Sequence, residues 1–198
     1  MRTDETLERL RALIAAEGEA LAPVLAAPGA EAVIGPLVLA CAGDRSEAAD
    51  LALVMESILE GYLLHYGGGR LIDTADADLR LLAGDHMYAV GLSRLARLGD
   101  LDAVRALAHL ISLCAQAHAG AAPATSRTAP LWLLTGMTVG AGRRPGQGAV
   151  LDGPRTLDTG PEELLCAARR QAATLGVELE AQAALIAFSD AVADRPHA

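Results

Sequence analysis

Apolar side chains recur at intervals of three and four residues along most of this chain, and that spacing predicts amphipathic helices. The first stripe consists of Leu7, Leu10, Leu13 and Ile14. A second helix is expected over residues 101–118, with Asp100 as its N-cap. Its stripe consists of Val104, Leu107, Ala108, Ile111 and Ala115.

Residues 46–66 are apolar around most of the helical circumference, which is typical of a helix buried on all sides. We expect Ser46 to be its N-cap. Three consecutive glycines, residues 67–69, end this helix because glycine disfavours helical structure. The pattern therefore predicts a central helix around which the other helices pack.

Four further helices follow from the pattern. A short one is expected within 31–42, started or interrupted at Gly35-Pro36, and one carrying Gly84-Asp85 should end near Gly99. Another is expected over 125–141, and a single long helix over 161–194. No stretch has the alternating pattern of a strand. We predict an all-α bundle of seven or eight helices, one domain over residues 1–198, with a flexible Gly/Pro-rich loop at 142–160.

Composition narrows the function classes. Hydrophobic residues make up 52% of the chain but aromatic residues only 3%, so Ala, Leu, Val and Ile must form the core. The net charge of −9 argues against nucleic-acid binding. The three cysteines fit neither a disulfide framework nor a zinc spacing. Without a signal-peptide pattern or a transmembrane segment, a cytoplasmic protein is expected.

Several residues occur in an informative order. Glu56 lies in the apolar helix, His65 follows nine residues later, and Leu82-Ala-Gly-Asp85 lies in the next helix. Arg127-Thr128 stands at a helix start and Leu175-Gly176 in the last helix. This order, over about residues 46–194, resembles the trans-isoprenyl diphosphate synthase (polyprenyl synthetase) family. The resemblance implies a shortened isoprenoid-synthase-like helical bundle.

The chain departs from that family at both of its Asp-rich motifs, which hold magnesium on a substrate diphosphate. Where the resemblance implies His-Asp-Asp, His65 is followed by Tyr66 and Gly67. Where the second pair of aspartates is implied, the chain has Ala183 and Ala184. We therefore predict no catalytic residues, no metal ligands and no cofactor, with Mg²⁺ relevant only to a residual prenyltransferase activity.

The resemblance also suggests roles for individual residues. Glu56, His65, Gly84 and Asp85 are interpreted as a structural motif. Arg127, with Thr128, stands where the family binds a diphosphate, and Arg70 is what remains of an arginine-rich clamp. For Arg127, an exposed arginine near a helix N-terminus is the favoured interpretation.

Two groups of acids leave alternatives open. Glu56 and Glu60 are one helical turn apart and with Asp85 could form a cation-binding cluster, although structural hydrogen bonds across a helix interface are the favoured interpretation. Asp73, Asp76 and Asp78 resemble a displaced metal motif, although helix caps and solubilising charges are the favoured interpretation.

The sequence supports three hypotheses. The first is a non-catalytic subunit that pairs with a catalytic prenyltransferase in isoprenoid biosynthesis, similar to the small subunits of heteromeric polyprenyl diphosphate synthases. The second is a homodimeric binding protein for a prenyl or other long apolar ligand. The third is a weakly active prenyltransferase using Glu56, Glu60, Asp85 and the loop acids.

Overall fold

The structure, a computed structural model, describes residues 3–17, 21–27, 29–120, 123–142 and 159–193. Those residues contain eight α-helices and one short 3₁₀ turn, Ala22–Val24. The helices are α1 (Thr3–Glu17), α2 (Gly35–Ala42), α3 (Ala48–Tyr66), α4 (Ala77–Leu98), α5 (Leu101–Ala119), α6 (Thr125–Ala141), α7 (Pro161–Leu175) and α8 (Glu178–Ala193).

The predicted all-α fold of seven or eight helices is confirmed. Within the described ranges no strand forms, and β-pairing is limited to one antiparallel bridge between Leu25 and Ile72. Most of the loop predicted at 142–160, namely residues 143–158, lies outside the described residues. No described helix is long and apolar enough to span a membrane.

Helix α3 is the centre of the bundle, as its apolar circumference predicts. Every residue from 51 to 64 is buried. One face of α3 contributes to a large core shared with α2, α5, α6, α7 and α8, and the other contributes to a smaller core shared with α1 and α4. A helix in this position needs apolar residues all round, which explains the pattern in the sequence.

Glycines set the distance between α3 and α4. A Cβ atom added at Gly61 would lie 2.9 Å from the carbonyl oxygen of Gly84, and one added at Gly91 would lie 2.6 Å from Cγ1 of Ile58. Such contacts are too short for any side chain, so only glycine permits this close approach.

The last part of the chain differs from the prediction of one continuous helix. Gly176 adopts a left-handed conformation with φ of +70°, and its N–H donates to the carbonyl of Ala172. This is the usual glycine-terminated helix end, and it separates α7 from α8. The single long helix predicted over 161–194 was therefore wrong, because a glycine that looks tolerable within a helix here serves as its terminator.

The starts of α2 and α3 also differ from expectation. α2 begins at Gly35, so residues 31–34 are not helical. α3 begins at Ala48, preceded by Glu47, and no side chain caps it, so the prediction of Ser46 as N-cap was wrong. The predicted cap of α5 is confirmed, because the Asp100 carboxylate accepts a hydrogen bond from the N–H of Ala103 at 2.9 Å.

Candidate functional site

Glu56, wholly buried in the middle of α3, caps the N-terminus of a different helix. Its Oε1 atom accepts hydrogen bonds from the N–H groups of Val33, Ile34 and Gly35 at 2.8, 2.7 and 2.6 Å. The first N–H groups of a helix have no partner within the helix, and a carboxylate there also interacts favourably with the helix dipole. Glu56 therefore fixes where α2 begins.

Arg70 joins Glu56 to the second buried carboxylate of α3, Glu60. Its Nη1 atom donates to Glu56 Oε2 at 2.7 Å and its Nε atom to Glu60 Oε2 at 3.2 Å. The remaining oxygen of Glu60 accepts from the N–H groups of Arg70 and Leu71, both at 2.8 Å. These three charged side chains form what we call the α3 charge cluster.

Every carboxylate oxygen of the α3 charge cluster accepts at least one hydrogen bond. Burial by itself lowers the pKa of Arg70, but Glu56 and Glu60 outweigh that effect and raise it. The side chain of Arg70 is only 9% exposed. Arg70, predicted to bind an anionic ligand, is thus committed to two carboxylates of its own chain, and we assign it a structural role.

The Gly84-Asp85 pair receives the side chain of His65 on the surface of α4. A Cβ atom at Gly84 would lie 2.9 Å from His65 Nε2, so glycine makes room for the imidazole. The same nitrogen lies 3.1 Å from Asp85 Oδ1, and the ring stacks on Tyr88 with centroids 5.3 Å apart. Because Asp85 is 73% exposed, this pair orients the imidazole more than it stabilises the fold.

A layer of aromatic rings covers the carboxyl-terminal end of α3. Tyr62 lies 5.6 Å from Trp132 and 5.9 Å from Phe188, measured between ring centroids. Tyr66 stacks on His118 at 3.9 Å. The layer holds every Trp, Tyr and Phe of the chain together with two histidines, namely Tyr62, His65, Tyr66, Tyr88, His118, Trp132 and Phe188.

The hydroxyl of Tyr62 ties three helices together within this aromatic layer. It lies 2.9 Å from His118 Nε2 on α5 and 3.2 Å from Thr128 Oγ1 on α6. Burial raises the pKa of Tyr62, so the phenol stays neutral. Burial likewise raises the pKa of the nearby Cys114 thiol, to about 12.

The predicted ligand-binding pair at the start of α6 is split between two environments. Thr128 is buried, and its hydroxyl is the one bonded to Tyr62. Arg127 is half-buried, and its Nη1 atom donates to the carbonyl of Thr159, just before α7. The two side chains therefore serve different contacts rather than one common site.

The described acids do not fit the magnesium sites that the family resemblance implies. Glu56 and Glu60 are enclosed with Arg70, whereas Asp85 is exposed and pairs with His65. Asp76 accepts from the N–H groups of residues 78 and 79 and so caps α4. Among the residues placed by the structure, no group of three or more His, Cys, Asp or Glu side chains could hold a metal ion.

Two clefts open where α6, α7 and α8 meet. The larger, which we call the α6–α8 cleft, has a volume of about 630 Å³ and is bordered by Ala129, Pro130, Leu165, Phe188 and Val192, with hydroxyls of Thr125 and Ser189 at its edge. The smaller, the α7–α8 groove, has a volume of about 410 Å³ and lies between Ala168 and Ala172 on one side and Ala181 and Leu185 on the other. Both volumes are in the range of small-molecule sites.

Sequence reasoning did not find the aromatic layer or the pairing of Arg70 with α3. The layer draws residues from positions 62 to 188, and no local pattern connects them. A signal for the charge cluster did exist: two glutamates one turn apart in an otherwise apolar helix require a cation nearby, and Arg70 is the first arginine after them.

Comparison with protein-family models, with curated proteins and with solved structures found no match to this chain.

Proposed function

We propose that this chain is a non-catalytic subunit of a polyprenyl diphosphate synthase that acts in isoprenoid biosynthesis by pairing with a catalytic prenyltransferase chain. The observation that carries the proposal is the state of the acids on α3. Glu56 and Glu60 are occupied by Arg70 and by backbone N–H groups, and the helix ends in Tyr66. A helix arranged in this way supports its neighbours, and its two buried carboxylates are bonded within the chain itself.

Exposed leucines near both ends of α4 support the pairing. Leu81 and Leu82 on α4 and Leu101 at the start of α5 are 46%, 66% and 71% exposed. We call them the α4–α5 leucines. Large apolar side chains in solvent favour a protein–protein contact, so the catalytic chain is expected to cover them.

The test is co-expression with a catalytic prenyltransferase chain from the same genome, followed by pull-down and chromatography of the prenyl products. We expect the two chains to co-purify and the product length to change when this chain is present. Leu82→Glu should abolish the pairing, whereas the same change at Leu179 on α8 should not. Chains that remain separate, with unchanged products, would contradict the proposal.

A second candidate function is a homodimeric binding protein for a prenyl or other long apolar ligand. The α6–α8 cleft favours it, because apolar walls with hydroxyls at the edge suit an amphiphilic chain. Native mass spectrometry of protein purified from cells should then reveal a retained lipid. Ser189→Trp, which places a large side chain at an exposed position of the cleft lining, should remove it. Protein that carries no lipid would exclude this function.

A weakly active prenyltransferase is the third alternative, and it is tested by incubating the chain with isopentenyl and allylic diphosphates in the presence of Mg²⁺. We expect no product, because the two α3 carboxylates are buried and already bonded to Arg70 and to backbone N–H groups. Product formation that is lost in Asp85→Asn would favour this alternative instead.

A further inference from the structure

Helix α8 is apolar on two opposite faces. Its inner face buries Ala181, Ala184 and Phe188 in the core. Its outer face carries Leu179 and Ile186, which are 81% and 55% exposed, beside the exposed polar side chains of Gln182 and Asp190. These two residues are seven positions apart, and two helical turns bring them to the same side. A helix with apolar residues on both sides is typical of one that is covered on both sides.

The α7–α8 groove runs beside this outer face. Its walls are Ala168 and Ala172 of α7 and Ala181, Leu185 and Ile186 of α8, with Leu133 of α6 beneath them. Small alanines on α7 leave the groove open, while Leu179 and Ile186 stand out as a ridge along its edge. One surface of the molecule thus combines an apolar ridge with a groove lined by alanines and leucines together with Arg169, Glu178 and Gln182.

Charges of opposite sign lie on the two edges of the groove. Arg169 stands on α7 and Glu178 at the start of α8, and both are exposed. Within the part of the chain that the structure describes, neither residue takes part in an ion pair. A partner that matches this surface therefore needs a carboxylate opposite Arg169 and a cation opposite Glu178.

We propose that the partner is a second copy of this chain, related to the first by a two-fold axis at the α7–α8 groove. In a two-fold contact the same surface meets itself, so the ridge of each copy fits the groove of the other. Arg169 then faces Glu178 of the partner subunit, and this pairing occurs twice. A second copy of the chain supplies the ridge, the groove, the carboxylate and the cation that a matching partner needs.

The contact is expected to be weak. Helix α8 has 16 residues and is therefore about 24 Å long. A strip of that length and about 10 Å wide has an area of roughly 240 Å², well below the roughly 800 Å² that each partner buries in a standard interface. The net charge of −9 on each copy also opposes association at low salt. The dimer should thus depend on the protein concentration. It uses different helices from the α4–α5 leucines and does not depend on the proposed function.

Sedimentation velocity over about 1 µM to 1 mM protein tests the proposal. We expect a monomer–dimer equilibrium that Ile186→Glu and Leu179→Glu each weaken at least about tenfold. Leu82→Glu makes the same change on α4 and should leave the equilibrium unaltered. A chain that stays monomeric throughout, or a dimer lost in Leu82→Glu but not in Ile186→Glu, would overturn the proposal.

Charge reversal supplies the sharper test, because both residues are exposed and their exchange should not affect folding. Arg169→Glu alone and Glu178→Arg alone place like charges opposite each other and should weaken the dimer. An equimolar mixture of the two variants pairs opposite charges at both contacts, so we expect a heterodimer of wild-type strength. A mixture no stronger than the separate variants would show that the two residues do not meet. If the chain does not self-associate but binds a different protein, and Ile186→Glu abolishes that binding, the groove is the binding site of that protein and the second-copy proposal fails.

Discussion

Two regions of the molecule differ in how tightly they are packed: the contact between α3 and α4, and the junction of α6, α7 and α8. At the first, Gly61 meets Gly84 so closely that no Cβ fits, and the buried carboxylates of α3 are all satisfied. At the second, small alanines leave clefts of about 630 and 410 Å³, and Leu179 and Ile186 are exposed. One region is complete within this chain, and the other has unfilled apolar surface.

This difference indicates which part of the molecule is fixed by its internal packing and which part can bind another molecule. Buried charges and glycine contacts specify one arrangement, because any change leaves a charge without a partner or forces two backbones apart. Apolar clefts tolerate change and accept external molecules. The tightly specified half therefore acts as a scaffold, and the open half is the place where a ligand or partner is expected.

The largest effect should come from breaking the α3 charge cluster. Arg70→Met keeps the length of the side chain but leaves Glu56 and Glu60 buried without a cation, which should lower the free energy of unfolding by about 3–5 kcal/mol. Chemical denaturation measures it, with Arg97→Met at an exposed position of α4 as the control. A decrease in the free energy of unfolding of less than about 1 kcal/mol would mean that the α3 charge cluster does not stabilise the fold appreciably.

The same substitution in the two regions should give different results. Ala52→Leu, in the buried stretch of α3, overpacks the core and should cost about 1–3 kcal/mol. Ala193→Leu lies at an exposed position bordering the α6–α8 cleft and should change stability by less than about 0.5 kcal/mol. Thermal unfolding of both variants tests the comparison directly, and equal losses would remove the distinction between the two regions.

Gly61→Ala tests the close approach of α3 and α4 on its own. Alanine favours a helix over glycine by about 1 kcal/mol, but its Cβ would press on the backbone oxygen of Gly84, which no rotamer change can relieve. We expect the crowding to prevail and the variant to lose about 1–2 kcal/mol in urea unfolding. A gain in stability would show that the helices can separate at little cost.

Alkaline pH should gradually lower the free energy of unfolding through the aromatic layer and the core beside it. The pKa values of Tyr62, Tyr88 and Cys114 are raised by burial above their ordinary values of 10.0, 10.0 and 9.0. As the pH rises, the unfolded chain therefore loses these protons before the folded chain does. The free energy of unfolding should be constant below about pH 9 and should fall above it, by up to about 1.4 kcal/mol per pH unit for each group. Denaturation curves at several pH values, with tyrosinate absorbance as a second readout, check this; phenols that titrate at about pH 10 in the folded state would contradict it.

Much of the fold is determined by local sequence. The three- and four-residue spacing gives the helices, and the apolar circumference of α3 gives its central position. Asp100 as a cap and Gly99 as a helix end follow from side-chain and backbone chemistry within a few residues. These features were predictable because their causes lie next to one another in the chain.

Gly176 and Ser46 show the limits of local reasoning. A glycine within an apolar pattern is compatible with a continuous helix or with a helix end, and only the position of α7 and α8 against α6 decides. Ser46 is a good cap in isolation, yet α3 begins two residues later without a side-chain cap. Residue propensities predicted the helices correctly in general, but at these two helix ends tertiary packing overrode them.

The sequence by itself determined that the chain is a helical bundle with a buried, acid-bearing central helix. Only the tertiary structure decided what those acids do. Glu56 begins α2 from 21 residues away, and Arg70 joins it to Glu60, because the fold brings the start of α2 and the loop after α3 to the same side of α3. Hydrogen bonds and ion pairs depend on distance in space, and a spacing along the chain does not encode which of these partners will meet.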